Sequence, residues 1–317
     1  MNVSFRQIID VIEQYERIIV FRHIHPDYDA IGSQFGLIRW LRNIYPNKEI
    51  IGTGYEMSLD DSFIEDPAAL EPSSCTGALA IAVDTSTSER IDGYDLWQLC
   101  EKRICIDHHI REKVMGDYEY VDTTAGSCSE IIASIIHDIN PKSLTKESAE
   151  ALYAGIIADT LRFSVESVSS NTLKMAGFLL DAGIDINDIN NQVFQNDLVE
   201  YKFANELRNI AVYEEDFIYA ILKKEDYTKY GIASSKAKSK VFIFGQVKGI
   251  VSWVLFAEDE NESGIYSASL RSHKLKVNDI AEKYGGGGHK CACGIPKLSI
   301  DQCHEIISLL KDRINMN

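Results

Sequence analysis

The sequence predicts an α/β protein: a first domain built on a parallel sheet with helices on both faces, a helical linker, and a smaller C-terminal α/β domain. Three observations predict it. Short, uniformly apolar runs, at 17–22 (RIIVFR), 78–83 (ALAIAV) and 103–106 (RICI), alternate with segments of helical periodicity, the pattern of strands buried on both faces of a parallel sheet. Each run stops at an aspartate or histidine, and open α/β sheets bind ligands beyond the carboxyl ends of their strands. The 317 residues exceed one typical domain, and the pattern changes after residue 216.

Taken in order, residues 4–15 place Phe5, Ile8, Ile9 and Ile12 on one side of a helix. The strand 17–22 follows, then a motif-rich turn and an amphipathic helix over 30–44. After the strands at 78–83 and 103–106 come helical patterns at 128–139, 146–158 and 170–182, the last ending near Gly183. The polar, helical stretch 185–207 reads as a linker between domains at 1–184 and 208–317. In the second domain FIYAILKK, GIVSWVLFAED and GIYSASLRS read as strands, the glycine run 285–288 as a loop, and the chain from 299 as a helix.

Composition narrows the function. The apolar fraction of 45% supplies real cores. The net charge of −16 disfavours a protein that grips long duplex nucleic acid, since such binding rests on Lys and Arg neutralising phosphates. The charge is split: residues 1–204 carry 16 Lys+Arg and 33 Asp+Glu (net −17), residues 205–317 carry 16 and 15 (net +1). Most of those carboxylates solvate the surface; a minority suit metal ligation. No apolar run reaches the roughly 20 residues of a membrane span, and no signal peptide is evident. Seven scattered cysteines argue for a reducing cytoplasm rather than a disulfide framework.

Five segments carry chemistry. In His23-Ile24-His25-Pro26-Asp27-Tyr28-Asp29, carboxylates and imidazoles without a thiolate favour Mn²⁺, Mg²⁺ or similar ions over structural zinc. Asp27 and Asp29, two residues apart, suit neighbouring metals. An acidic helix N-terminus explains the same residues equally well. Asp84 directly follows a buried strand, where a helix cap is the commoner meaning. In Asp107-His108-His109, successive side chains point apart, so one imidazole can bind a metal while the other faces substrate, with Asp107 orienting a ring. Asp159 interrupts an apolar helical stretch and requires a partner, either a metal or a positive or hydrogen-bonding group. The glycines 285–288, before His289 and Lys290, allow close approach of backbone N–H groups to a phosphate, although a flexible loop is the default meaning of such a run. Upstream, Arg271 ends a strand and suits bidentate phosphate binding. Cys291 and Cys293 lack the second matching pair of a zinc site.

In this order the five segments resemble the signature of the DHH phosphoesterases. Asp107-His108-His109 matches the triplet that names the family, and Gly286 to Gly294 resembles the Gly-Gly-Gly-His-x-x-Ala-x-Gly motif of its DHH-associated C-terminal domain. The resemblance spans His23 to Gly294, and the two-domain layout is most similar to the nanoRNase and pAp phosphatase branch. It implies two divalent ions, Mn²⁺ with Mg²⁺ or Co²⁺ as alternatives. His23 and Asp27 would hold one, Asp29, His108 and Asp159 the other, and Asp84 would bridge them. It makes Asp84, Asp107 and His109 the catalytic set, with His109 beside the scissile phosphate. Arg271, His289 and the amides of Gly287 and Gly288 would hold a terminal phosphate or nucleotide across a cleft. The implied substrates are short oligoribonucleotides, linear dinucleotides such as pApA and 3'-phosphoadenosine 5'-phosphate (pAp); the implied assembly is a homodimer.

Three rivals remain at this level. Family II inorganic pyrophosphatases are similar around the first four segments, but the glycine-rich segment argues against them. A cyclic-dinucleotide phosphodiesterase differs only in substrate. A non-catalytic nucleotide sensor on the same fold would not need two ions.

Overall fold

The computed structural model describes residues 2–55, 69–110, 113–195 and 197–316. The chain divides into two compact units, Met1–Gln195 and Asn196–Asn317.

The first unit runs α1 (Phe5–Glu13), β1 (Arg17–Phe21), α2 (Tyr28–Ile44), β2 (Glu49–Gly52), β3 (Leu79–Val83), α3 (Tyr94–Leu99), β4 (Lys102–Asp107), β5 (Tyr118–Val121), α4 (Cys128–Ile139), α5 (Lys146–Asp159), α6 (Ser170–Leu180) and α7 (Ile186–Phe194). The five strands form one sheet, ordered β2-β1-β3-β4-β5, with every pair parallel. The uniformly apolar runs reflect burial on both sides. Ile18, Val20, Ile81, Val83, Ile104 and Ile106 enter a core shared with α1, α2 and α4–α7. The alternate residues Ile19, Phe21, Ala80, Ala82 and Cys105 enter a second core with Leu96 and Trp97 of α3. Caps fix the helix starts: Ser4 and Gln7 form a reciprocal capping box on α1, and Asp27 caps α2 through the N–H groups of Asp29 and Ala30.

Close approaches set α5 against both α2 and α4. A Cβ at Gly32 on α2 would lie 2.4 Å from the Ala151 carbonyl oxygen, and one at Gly155 would lie 2.8 Å from Asp29 Oδ1 on α2 and 2.1 Å from Ser129 Oγ on α4. Helices α2 and α5 touch backbone to backbone, which brings the start of α2 and the end of α5 to the same edge of the sheet.

Strands β2 and β5, at the two edges, add to the three read from sequence. Each has only four residues, and all four of β5 are half-exposed, so neither produces an apolar run. The 185–207 segment is helical but serves both units. Ile189 of α7 is buried in the first unit's core, whereas Phe203 and Leu207 are buried in a core of the second.

The second unit runs α8 (Leu198–Ile210), β6 (Val212–Tyr213), β7 (Phe217–Leu222), α9 (Lys224–Thr228), α10 (Ser234–Ser239), β8 (Ser252–Glu258), β9 (Tyr266–Ser272), α11 (Asn278–Lys283), β10 (Gly287–His289), β11 (Ala292–Leu298) and α12 (Ile300–Asn315). Its sheet is ordered β10-β11-β9-β8-β7-β6; β7 and β8 are parallel and the other pairs antiparallel. One face packs on α11 and α12, the other on α8–α10. The glycine run is not a simple loop: Gly285 turns with φ 76°, and Gly287–His289 pair with Ala292–Gly294 as an edge strand.

Candidate metal centre

Four sequence-predicted segments meet at the carboxyl edge of the first sheet. His23 follows β1, Asp84 follows β3, and Asp107 ends β4 with His108 beyond it. Asp27 and Asp29 stand at the start of α2, and Asp159 is the last residue of α5. His23, Asp29, Asp84 and Asp107 are buried.

The side chains fall into two ligand sets joined by one carboxylate. His23 Nε2 lies 3.7 Å from Asp27 Oδ1 and 3.5 Å from Asp84 Oδ2. His108 Nε2 lies 3.8 Å from Asp29 Oδ2, 3.4 Å from Asp159 Oδ2 and 3.4 Å from Asp84 Oδ1. Within each of the sets His23–Asp27–Asp84 and Asp29–His108–Asp159, one ligand atom per residue lies within 4.8 Å of the others. Asp84 turns a different oxygen to each set, and does so with φ at 51°, a left-handed conformation uncommon outside glycine.

The rings are oriented for ligation. His23 Nδ1 is 2.7 Å from the Ile24 carbonyl oxygen, and His108 Nδ1 is 3.4 Å from that of Ala125. A proton held on Nδ1 leaves the Nε2 lone pair facing the carboxylates. Asp29 accepts the N–H groups of Cys128 (2.6 Å) and Ser129 (2.9 Å) at the start of α4. His109 differs: its Nδ1 is 2.8 Å from Asp107 Oδ1, and Asp107 also accepts the His108 N–H.

The electrostatics are those of a site that holds cations. Burial would lower the histidine pKa values, but Asp27 and Asp84 raise His23 to about 10, and Asp84, Asp29 and Asp159 raise His108 to about 10. Burial and the Asp84 charge push Asp29 up to about 7; burial with Asp29, Asp27 and Asp84 pushes Asp159 well above the usual carboxylate range. Burial opposes ionisation of Asp84 too, yet His108 and His23 hold it below that range. Asp84 Oδ1 and His108 Nε2, facing each other, are buried without a hydrogen bond. Such orphaned atoms are unfavourable unless something satisfies them, and a divalent cation suits both. The residues therefore fit two metal ions.

The remaining predicted residues lie in the second unit. Arg271 on β9 is in register with Ala292 on β11, and Ala292 with His289 on β10. Register partners share a sheet face, so Arg271 and His289 do as well. Because β10 is an edge strand, alternate backbone groups over Gly287–His289 point away from β11.

Sequence reasoning missed Arg22 and Asp92. Arg22 is 1% exposed; its Nη1 donates to the Thr53 carbonyl at 3.1 Å and lies 3.5 Å from Asp92 Oδ2. Asp92 accepts the Tyr55 N–H, and the Asp92 N–H bonds the Arg22 carbonyl, so the pair braces the segment that carries His23. Arg22 reads in sequence as the last residue of a strand; its burial gave no local signal.

Comparison with known proteins finds family matches over both units. Residues 17–156 match the model of the DHH family, N-terminal domain, and residues 214–316 that of the DHHA1 domain. The chain is 35% identical over 309 residues, covering 96% of its length and 97% of the relative's, to the bifunctional oligoribonuclease and PAP phosphatase NrnA of Bacillus subtilis (strain 168). It is 33% identical over 314 residues, 98% of each chain, to the probable bifunctional oligoribonuclease and PAP phosphatase NrnA of Streptococcus mutans serotype c. Among solved structures, an exopolyphosphatase-related protein from Bacteroides fragilis matches with a TM-score of 0.87 at 22% identity, over 98% of this chain and 95% of that one.

Proposed function

Because the chain belongs to the DHH family of metal-dependent phosphoesterases, we propose that it hydrolyses short oligoribonucleotides, linear dinucleotides such as pApA, and pAp, with two divalent ions, Mn²⁺ first and Mg²⁺ or Co²⁺ as alternatives. The observation that carries the reading is Asp84, whose two oxygens face two separate His/Asp sets. The substrate class follows from the relatives named oligoribonuclease and PAP phosphatase.

In this reading His23 and Asp27 would hold one ion, Asp29, His108 and Asp159 the other, and Asp84 would belong to both sets. Two divalent ions, when bound, supply positive charge against the phosphoryl oxygens and acidify water at neutral pH. Asp107 fixes the His109 ring through Nδ1, which leaves Nε2 to contact the scissile phosphate and hand a proton to the leaving oxygen. Arg271, His289 and the amides of Gly287 and Gly288 bind a terminal phosphate or nucleotide. This distribution explains how a chain of net charge −16 acts on an anion. The seven cysteines are free thiols, which supports a reducing cytoplasm. Among the described residues no helix is long and apolar enough to cross a membrane. The assembly we infer is a homodimer, which light scattering tests.

The experiment is product release from a panel of pAp, pApA, cyclic di-AMP, a short RNA, a long RNA and pyrophosphate, with Mn²⁺ or with EDTA. Mn²⁺-dependent cleavage of pAp and the short species, sparing long RNA and pyrophosphate, is expected. Cleavage of pyrophosphate alone, or of nothing by protein with both ions bound, would overturn the reading.

A further inference from the structure

The row that contains Arg271 continues across the second sheet to Trp253 on β8. On the β8 side this face is roofed by an apolar core that buries Trp253 and Ala237 of α10. From β9 outward it changes character. Ser269 on β9 is in register with Gly294 on β11, and Gly294 with Gly287 on β10, so small residues border Arg271 and leave the backbone open.

Lys238 stands at the boundary. Helix α10 packs against β8 and β9, and the burial of Ala237 leaves the next residue, Lys238, half-buried. The neighbouring lysines Lys236 and Lys240 both pair with Glu200. Lys238 has no such carboxylate among the described residues; the charge it meets is Arg271. Arg271 is half-buried as well, donates through Nη1 to the carbonyls of Leu270 (2.8 Å) and Cys293 (3.0 Å), and also pairs with no carboxylate among the described residues. Two partly desolvated cations on the same face, close enough to feel each other's charge, destabilise each other, and burial with the Arg271 charge lowers the Lys238 pKa. An anion between them removes both penalties, and a phosphomonoester, with its two charges and three acceptor oxygens, suits one ammonium and one guanidinium.

We propose that Lys238 joins Arg271 in a subsite for a terminal phosphomonoester, which makes Lys238 a specificity-determining residue that favours phosphorylated over unphosphorylated short nucleotides. The inference rests on the hydrolytic reading above and deepens it.

The test compares pApA with ApA on the full chain, wild type against Lys238→Met and Lys238→Arg. In Lys238→Met the pApA-to-ApA ratio of kcat/KM is expected to fall about tenfold through KM, the scale of one charge-assisted contact, and Lys238→Arg is expected to restore most of it. An unchanged ratio overturns the proposal. Calorimetric titration of EDTA-treated protein with pApA supplies an arm that needs no turnover. There Lys238→Met should bind about tenfold more weakly, and equal affinity would overturn the proposal. Failure of the wild type to cleave either dinucleotide would count against the hydrolytic reading and leave the binding arm to judge the subsite.

Discussion

The Asp107 carboxylate lies 2.8 Å from Nδ1 of His109, and the same oxygen accepts the His108 N–H at 2.9 Å. One buried acid thus contacts two consecutive histidines, the backbone N–H of His108 and the ring of His109. Asp107→Asn keeps the shape but removes the charge opposite the ring and can present an amide N–H to it. We expect kcat to fall roughly 10–100-fold, the usual effect of losing such an orienting partner, with two ions still bound. Steady-state kinetics with metal analysis decides; an unchanged kcat would remove Asp107 from the mechanism.

Asp84 tests the joined ligand sets. Its strained backbone is sustained by an N–H bond of 3.0 Å to Ile106 on β4, which aims the carboxylate between His23 and His108. In Asp84→Asn neither set keeps its shared anion. Metal content should drop for both ions together, and turnover should fall by at least about 10²-fold. Loss of one ion alone, measured by elemental analysis, would show that Asp84 belongs to one set.

Much of this candidate centre was legible because metal ligation would demand unusual residues at strand ends. RIIVFR, ALAIAV and RICI announce strands buried on both faces, and each leads straight into a ligand candidate. What holds the ligands was not legible. Asp29 receives its N–H groups from Cys128 and Ser129, about a hundred residues away, and no local pattern encodes that. The glycine run reads as a loop because glycine weakens strands, yet it pairs as β10 since Ala292–Gly294 offer a small-residue partner strand. Helix α3, at six residues, is too short for its period to register.

Protons and metal ions should compete at this centre. Without metal, His23 and His108 titrate near 10 instead of 6.5, and Asp29 near 7 instead of 3.8. In every case the folded state holds protons that the unfolded chain releases, so the stability of the metal-free protein falls as pH rises. The window runs from 3.8 to about 7 for Asp29 and from 6.5 to about 10 for the histidines. Metal binding expels those protons, so its affinity rises with pH. We expect Mn²⁺ to raise the Tm of EDTA-treated protein more at about pH 8.5 than at about pH 6, with proton release measurable by calorimetry in buffers of different ionisation enthalpy. Equal gains at both pH values would contradict it.

The Arg22–Asp92 pair should show the asymmetry of buried ions. Both side chains are almost fully buried, at 2% and 3% exposure. Removing one partner strands the other, which typically costs about 3–5 kcal/mol. Arg22→Met should therefore destabilise strongly in urea unfolding, and Arg22→Met with Asp92→Leu should recover part of the loss. A double variant no better than the single would mean that the contact to Thr53, not the pair, carries the effect.

The contact between α2 and α5 yields the last prediction, in which two opposing effects are separable. Gly155 lies inside α5, where alanine is intrinsically better by about 1 kcal/mol. Its added Cβ, however, would meet Ser129 Oγ at 2.1 Å and Asp29 Oδ1 at 2.8 Å. Gly177, inside α6, is the control, since nothing lies within 4 Å of its added Cβ. Gly177→Ala should leave metal affinity unchanged and raise stability by up to about 1 kcal/mol. Gly155→Ala should forfeit that gain and bind metal about tenfold more weakly, because displacing Asp29 disturbs a ligand as losing an orienting partner would. Adding Ser129→Ala removes the nearer obstacle and should recover part of the affinity. Wild-type affinity in Gly155→Ala would mean that Asp29 is positioned by the α4 amides alone, with the helix crossing contributing nothing to the centre.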